Sequence, residues 1–180
     1  MLFPDRLEPR RLYIIRHSDT DWTESHRHTG STDIALNERG RTHALLLAKR
    51  LAGMVFAKVY MSPLGRVRET CALAGFHAHA QVIGDLTEGN MGDDEGLTTA
   101  QIRTQRPDWE MFRDGPSGCE SLAQVGERAE HFVTRVQMNG DGGDSLAFAS
   151  GQIIRCIAAS WLGLPLRSAR LFCVDTCSVG

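Results

Sequence analysis

The sequence predicts a three-layer α/β/α sandwich on a mostly parallel central sheet. Short apolar runs that read as strands alternate with longer segments whose apolar residues recur at helical spacing. The residues best suited to chemistry gather just after the strand-like runs, which is where ligands bind in open α/β sheets. At 180 residues the chain is long enough for one domain with one substantial core, taken here as residues 1–180.

The first strand is the apolar run Leu12 to Ile15, and a polar loop follows from Asp21 to Leu36. Asn37 is placed to cap a helix that carries Ala44, Leu45, Leu47, Ala48 and Leu51 on or near one face and ends at Gly53. Ala57 to Met61 is the second strand. Ser62-Pro63 opens the next helix, with serine as cap and proline in the first turn. Ala80 to Ile83 is a short third strand. Residues 84 to 120 read as irregular apart from a short helix near Thr98 to Gln105. Ser121 to Met138 is a long helix with Leu122, Val125, Ala129, Phe132, Val133 and Val136 at helical spacing, and 139 to 144 is a glycine-rich turn. Leu146 to Ala149 is a strand, Gly151 to Leu162 a helix, and Leu171 to Val174 a candidate last strand.

Composition narrows the function classes. A net charge of -2 gives no electrostatic case for nucleic acid, and no apolar run approaches the roughly 20 residues of a membrane helix. Residues 1 to 11 are charged and lack the apolar centre of a secretory signal. The cysteines (Cys71, Cys119, Cys156, Cys173 and Cys177) are odd in number and form no CxxC pair, as expected of reduced thiols in a cytoplasmic protein. Cys156 and Cys173 read as inert apolar positions.

The first strand runs directly into Arg16-His17-Ser18-Asp19-Thr20. A histidine at a strand end is presented for chemistry, and neutral imidazole is a competent nucleophile. The arginine beside it carries a planar fork matched to phosphate oxygens. Arg66 follows Ser62 by one turn and can fold back to the same mouth, where a helix N-terminus adds to an anion site. Glu88 heads a glycine-rich loop and suits a general acid, with Asp93, Asp94 and Glu95 as competitors nearby. Ser150-Gly151 marks a further strand-to-helix turn.

In order along the chain, Arg16-His17-Ser18-Asp19-Thr20, Gly30-x-x-Asp33-x-x-Leu36-x-x-x-Gly40, Ser62-x-Leu64-x-Arg66-x-x-x-Thr70 and the Glu88 loop resemble four blocks of the histidine phosphatase superfamily, also called phosphoglycerate mutase-like. The resemblance covers nearly the whole chain. It implies the phosphoglycerate mutase-like fold and a metal-independent phosphomonoester hydrolase of the phosphatase branch, with no cofactor. By that resemblance His17 would attack phosphorus and carry a phosphohistidine. Arg16 and Arg66 would clamp the phosphoryl oxygens, and Glu88 would protonate the leaving oxygen and then help activate water. Ser18, Thr23, His28, Thr29, Gly30 and Gly151 would contact a small phosphorylated or anionic metabolite.

The departures from the family pattern matter equally. The family's fifth block, Ser-His-Gly-x-x-x-Arg, reads Ala149-Ser150-Gly151-x-x-x-Arg155 here, so Ser150 stands where the second histidine belongs. Loss of one preorganised donor reduces rate by about a hundred- to a thousandfold. Ser18 replaces the motif glycine, and Gly89-Asn90-Met91 replaces residues common in the acid loop. The chain is also expected to lack a closing strand after Gly180. Ser150 is either an engineered substitution or part of a site retuned by descent. Three functions stay open: a phosphatase with altered or reduced activity, a family member using its anion pocket for a non-hydrolytic reaction, and a non-catalytic binder of phosphorylated ligands. A mutase is disfavoured because the inserted segment of mutases is missing. The sequence names no substrate, and a homodimer is neither indicated nor excluded.

Other polar residues carry plainer expectations. His26, His43, His77, His79 and His131 read as structural, and His28 is the exception because its loop lines the mouth in the family. Arg68 reads as a surface ion pair, and Arg155 as structural, paired with a carboxylate. Asp175-Thr176 would help order the site, and Trp22, Trp109 and Trp161 read as core or lid aromatics.

Overall fold

The structure, a computed structural model, describes residues 11–138 and 142–180. Residues 1–10 of the charged head and 139–141 of the expected 139–144 turn lie outside the described residues.

The first strand, β1 (Leu12–Arg16), alternates its side chains between two cores, Leu12 and Ile14 on one side, Tyr13 and Ile15 on the other. A short helix, α1 (Asp21–Glu24), interrupts the stretch expected to be a loop. Its cap is a reciprocal box, with the Thr20 hydroxyl accepting from the Thr23 N–H and the Thr23 hydroxyl from the Thr20 N–H. Asn37 caps α2 (Glu38–Leu51) as expected, accepting from the Gly40 N–H at 2.8 Å. Ala44, Leu47 and Leu51 are buried, whereas Leu45 is exposed, because it is rotated about 100° from Ala44 around the helix axis.

Strand β2 (Lys58–Met61) leads into α3 (Gly65–Leu73). This helix starts later than Ser62-Pro63 predicts, and its N-terminus is held by a distant residue. The Asp33 carboxylate accepts from the Gly65 N–H at 2.7 Å and the Arg66 N–H at 3.3 Å. After β3 (Ala80–Val82) come α4 (Thr99–Gln105) with its Thr98 capping box, an unexpected turn of helix α5 (Met111–Asp114), and α6 (Leu122–Met138). The expected apolar face of α6 is buried except at Leu122, which is only partly covered. Strand β4 (Ser145–Ala149) is buried along its whole length and feeds α7 (Gly151–Trp161).

The strands form one sheet in the order β1-β4-β2-β3, every pair parallel. One core packs Phe132, Val133, Ile153 and Ile157 of α6 and α7 on one face, and the other packs Leu47, Leu51, Val67 and Cys71 of α2 and α3 on the opposite face. The three layers expected from sequence are therefore present. The candidate strand at Leu171 to Val174 is not formed. Leu166–Leu171 is 3₁₀-helical, and Val179 and Gly180 instead run antiparallel to the free edge of β1, where Gly180 exchanges two backbone hydrogen bonds with Ile14. No helix among the described residues is long and apolar enough to cross a membrane.

The start of α2 packs tightly under the β1 exit. A Cβ on Gly40 would lie 2.1 Å from the Asp19 carbonyl oxygen, whereas one on Gly84 would meet nothing within 4 Å. Gly40→Ala is expected to destabilise the fold by about 1–3 kcal/mol, and Gly84→Ala by less than about 0.5 kcal/mol. Equal urea midpoints for the two variants would refute this account of the packing.

Candidate active site

The β1–β4 ladder continues one step past the sheet. The His17 N–H donates to the Ala149 carbonyl at 2.9 Å, bringing the Arg16-His17 exit beside the Ser150-Gly151 turn. His17 is 3% exposed. Its Nδ1 lies 2.8 Å from the Ser18 carbonyl oxygen. A carbonyl only accepts, so Nδ1 carries the proton and Nε2 keeps the lone pair. Burial, then the charges of Arg66 and Arg16, push the His17 pKa down to about 3, so the imidazole is neutral at physiological pH.

Both arginines are themselves under strain from burial, which lowers their pKa values despite the opposing charge of Glu88. Arg16 is half-buried. Its Nη1 donates to the Val174 carbonyl at 2.7 Å, and its Nε has no protein partner. The guanidinium lies against the backbone of Gly151, where a Cβ would come within 3.2 Å of Arg16 Nε. Arg66 is fully buried. Its Nη1 and Nη2 donate to the Thr32 and Gly30 carbonyls at 2.9 and 2.8 Å, leaving Nε without a partner. Glu95 grips the same segment from its amide side, accepting from the Gly30 and Thr32 N–H groups.

Glu88 is 8% exposed and reaches the N-terminus of α7. One oxygen accepts from the Gln152 N–H and the other from the Ile153 and Gly89 N–H groups, at 3.0, 3.0 and 3.2 Å. Ser150 occupies the cap position of α7 without capping it, and its fully buried hydroxyl has no partner. Carboxylates thus occupy the leading N–H groups of both helices at this mouth. The free helix N-terminus expected at the start of α3 is filled by Asp33.

A cavity of about 960 Å³ opens over these residues. Of the residues singled out from sequence, Arg16, His17, Thr23, Glu88, His28, Thr29 and Gly151 line it. Arg66, Ser150, Ser18 and Gly30 lie behind that lining. The Ser18 N–H donates to Thr70 Oγ1, and its hydroxyl accepts from the Cys177 thiol at 3.0 Å. The wall also includes Asp19 of the first motif, His43, Gln152 and Thr176. Asp19 accepts from His43 Nδ1 and from the Thr176 hydroxyl, each at 2.8 Å. Burial raises its pKa, but these two bonds outweigh that and hold it below the usual value. Gln152 is 8% exposed with its amide oxygen unpartnered.

Arg155 does not make the expected carboxylate pair. Its guanidinium lies 5.8 Å from the centre of the Phe112 ring, and its Nε has no partner. Its position one turn after Gly151 was the available signal, since that spacing returns a side chain to the face of the helix start. Cys156 is buried and its thiol is pushed up to about 12 by burial, whereas Cys173 is exposed and does not fit the apolar setting expected of it. Among the described residues, no three or more His, Cys, Asp or Glu side chains cluster to hold a metal ion.

Comparison with known proteins accords with this geometry. The chain is 37% identical over 172 residues to an acid phosphatase of Mycobacterium tuberculosis, covering 94% of this chain and 84% of the relative. It is 30% identical to sedoheptulose 1,7-bisphosphatase of Saccharomyces cerevisiae, over 86% and 68% of the two chains. Its fold superposes on the product of a Mycobacterium tuberculosis open reading frame with TM-score 0.91 and 36% identity, covering 96% and 90% of the chains. For a mycobacterial glucosyl-3-phosphoglycerate phosphatase in complex with VO3 the TM-score is 0.84 at 28% identity, covering 94% and 90%. Residues 12–180 match the family described as histidine phosphatase superfamily (branch 1), and the chain belongs to that superfamily.

Proposed function

We propose that this chain hydrolyses phosphomonoesters of a small metabolite, without a metal, through a phosphohistidine at His17. The observation that carries this reading is the state of His17: buried, neutral, its Nδ1 proton fixed on the Ser18 carbonyl and its Nε2 lone pair free beside two guanidiniums. Nε2 attacks phosphorus and the ester P–O bond breaks. The leaving oxygen takes a proton from Glu88. Water then attacks the phosphohistidine and gives its proton to Glu88, the N–P bond breaks, and inorganic phosphate leaves. Arg16, which lines the cavity and keeps a nitrogen without a protein partner, binds the phosphoryl oxygens. Arg66, whose Nη groups hold carbonyls, acts through its charge on His17. Thr23, His28, Thr29 and Gly151 line the space for the rest of the substrate.

Two relatives named as phosphatases at 30% identity or more support this reading. Ser150 tempers it. In our reading it stands where the family's second histidine donates to the transferring group, and its unpartnered hydroxyl lies behind the cavity wall. The same observation favours slow turnover, or binding without turnover, as the second reading.

Phosphate release from a panel of small phosphate esters is expected to fall to the buffer rate in His17→Ala. Release that survives the substitution would sink the phosphohistidine step. Ser150→His is expected to raise kcat by about a hundred- to a thousandfold, and an unchanged kcat would show that serine is not a missing donor.

The depressed pKa of His17 also links to stability. Below pH 6.5 an unfolded chain takes up the proton that the folded one refuses until about pH 3, so the fold loses stability across that window. Between pH 7 and pH 5, the parent is expected to lose about 2 kcal/mol more than His17→Ala. Parallel urea stability curves for the two proteins would contradict the assigned state of His17.

A further inference from the structure

Gly89, one of the departures from the family pattern, has a counterpart in space at Gln152. A Cβ added to Gly89 would lie 2.3 Å from the Gln152 amide oxygen and 3.1 Å from Val125 Cγ2. Glycine in the acid loop therefore leaves the room that the Gln152 side chain fills, and a side chain at 89 would displace it. The Gln152 backbone is fixed separately, by its N–H on the Glu88 carboxylate at 3.0 Å. The amide itself is held by packing and hardly by bonds. Its oxygen is buried without a partner, and its nitrogen has only the sulfur of Met111, a weak acceptor, at 3.5 Å. The side chain is 8% exposed and lines the cavity together with Arg16, His17 and Glu88. Buried polar groups are nearly always paired, so an amide left this way in a cavity wall marks a place where a ligand atom belongs.

We propose that Gln152 is a further catalytic residue, whose carboxamide N–H donates to the transferring phosphoryl group from the same helix start that carries Ser150. This rests on the reading of His17 as the nucleophile and adds a donor to that step. Two residues along a helix turn a side chain by about 200°. The start of α7 that shuts Ser150 behind the wall therefore brings Gln152 onto it. The two ends of a carboxamide are equal in size, so the same cradle accepts the nitrogen facing a phosphoryl oxygen. Arg16 holds the group from the end of β1 and Gln152 holds it from the start of α7. No bond to Gln152 forms or breaks. Its N–H stabilises the charge that spreads over the phosphoryl oxygens as phosphorus passes to His17 and on to water. A neutral amide supplies only part of what a histidine at 150 would give.

The test reads the affinity of orthovanadate, which adopts the shape of the transferring group, by titration calorimetry on the full chain. Gln152→Met keeps the bulk of the side chain and removes the donor. It is expected to bind vanadate about tenfold to a hundredfold more weakly than the parent, and Gln152→His, which restores an N–H, to recover part of the loss. Gly89→Ala displaces the amide from its cradle and is expected to weaken vanadate as well. Adding Gly89→Ala to Gln152→Met is then expected to cost less than about twofold more, because both changes remove one contact. Vanadate affinity unchanged in Gln152→Met assigns the side chain to packing, overturns the donor and leaves His17 standing. Full additivity of the two substitutions overturns it too. Vanadate binding that survives His17→Ala, or no binding to the parent, overturns both readings.

Discussion

The parallel pairing of β1 with β4 is the constraint on which the site depends. Arg16 lies opposite Ala149, and one further ladder bond fixes the His17 N–H on the Ala149 carbonyl. A slip of one residue would turn His17 to the other face of the sheet and break its contact with the Ser150-Gly151 turn. The register is held by burial on both faces. Ile15, Leu146 and Phe148 belong to one core and Ala147 and Ala149 to the other, so no shifted pairing keeps both filled.

On that frame, the electrostatics follow one pattern: acids from loops hold the backbone amides, and the arginines hold carbonyls. Asp33 caps α3, Glu88 caps α7, and Glu95 with Arg66 grips the 30–32 segment from its two sides. Helix N-termini at this mouth are thereby satisfied internally, and unpartnered nitrogens are left on the guanidinium groups of Arg16, Arg66 and Arg155. Burial of those same guanidiniums beside His17 keeps its ring neutral. One arrangement therefore sets both the neutral imidazole of His17 and the buried cations beside it.

Much of this was legible in the chain. The strands β1, β2 and β4, the helices α2, α6 and α7, and the Arg16-His17 exit all follow from periodicity and cap residues close to their own elements. What escaped were features whose cause lies far away in sequence. Helix α3 begins at Gly65, where Asp33 accepts from its first N–H groups, and the edge of β1 is covered by Val179 and Gly180, more than 160 residues later in the chain. Arg155 reads as an ordinary helical cation until Phe112, more than forty residues earlier, is seen beneath it.

By itself, then, the sequence determined the layer architecture and the set of residues at the strand ends, because hydrophobic period and short-range capping are local properties of a chain. Only the tertiary structure decided which nitrogen of His17 is free, which arginines keep unpartnered nitrogens, and that Ser150 is shut behind the wall. Those depend on desolvation and on partners dozens of residues distant, and no local pattern encodes either.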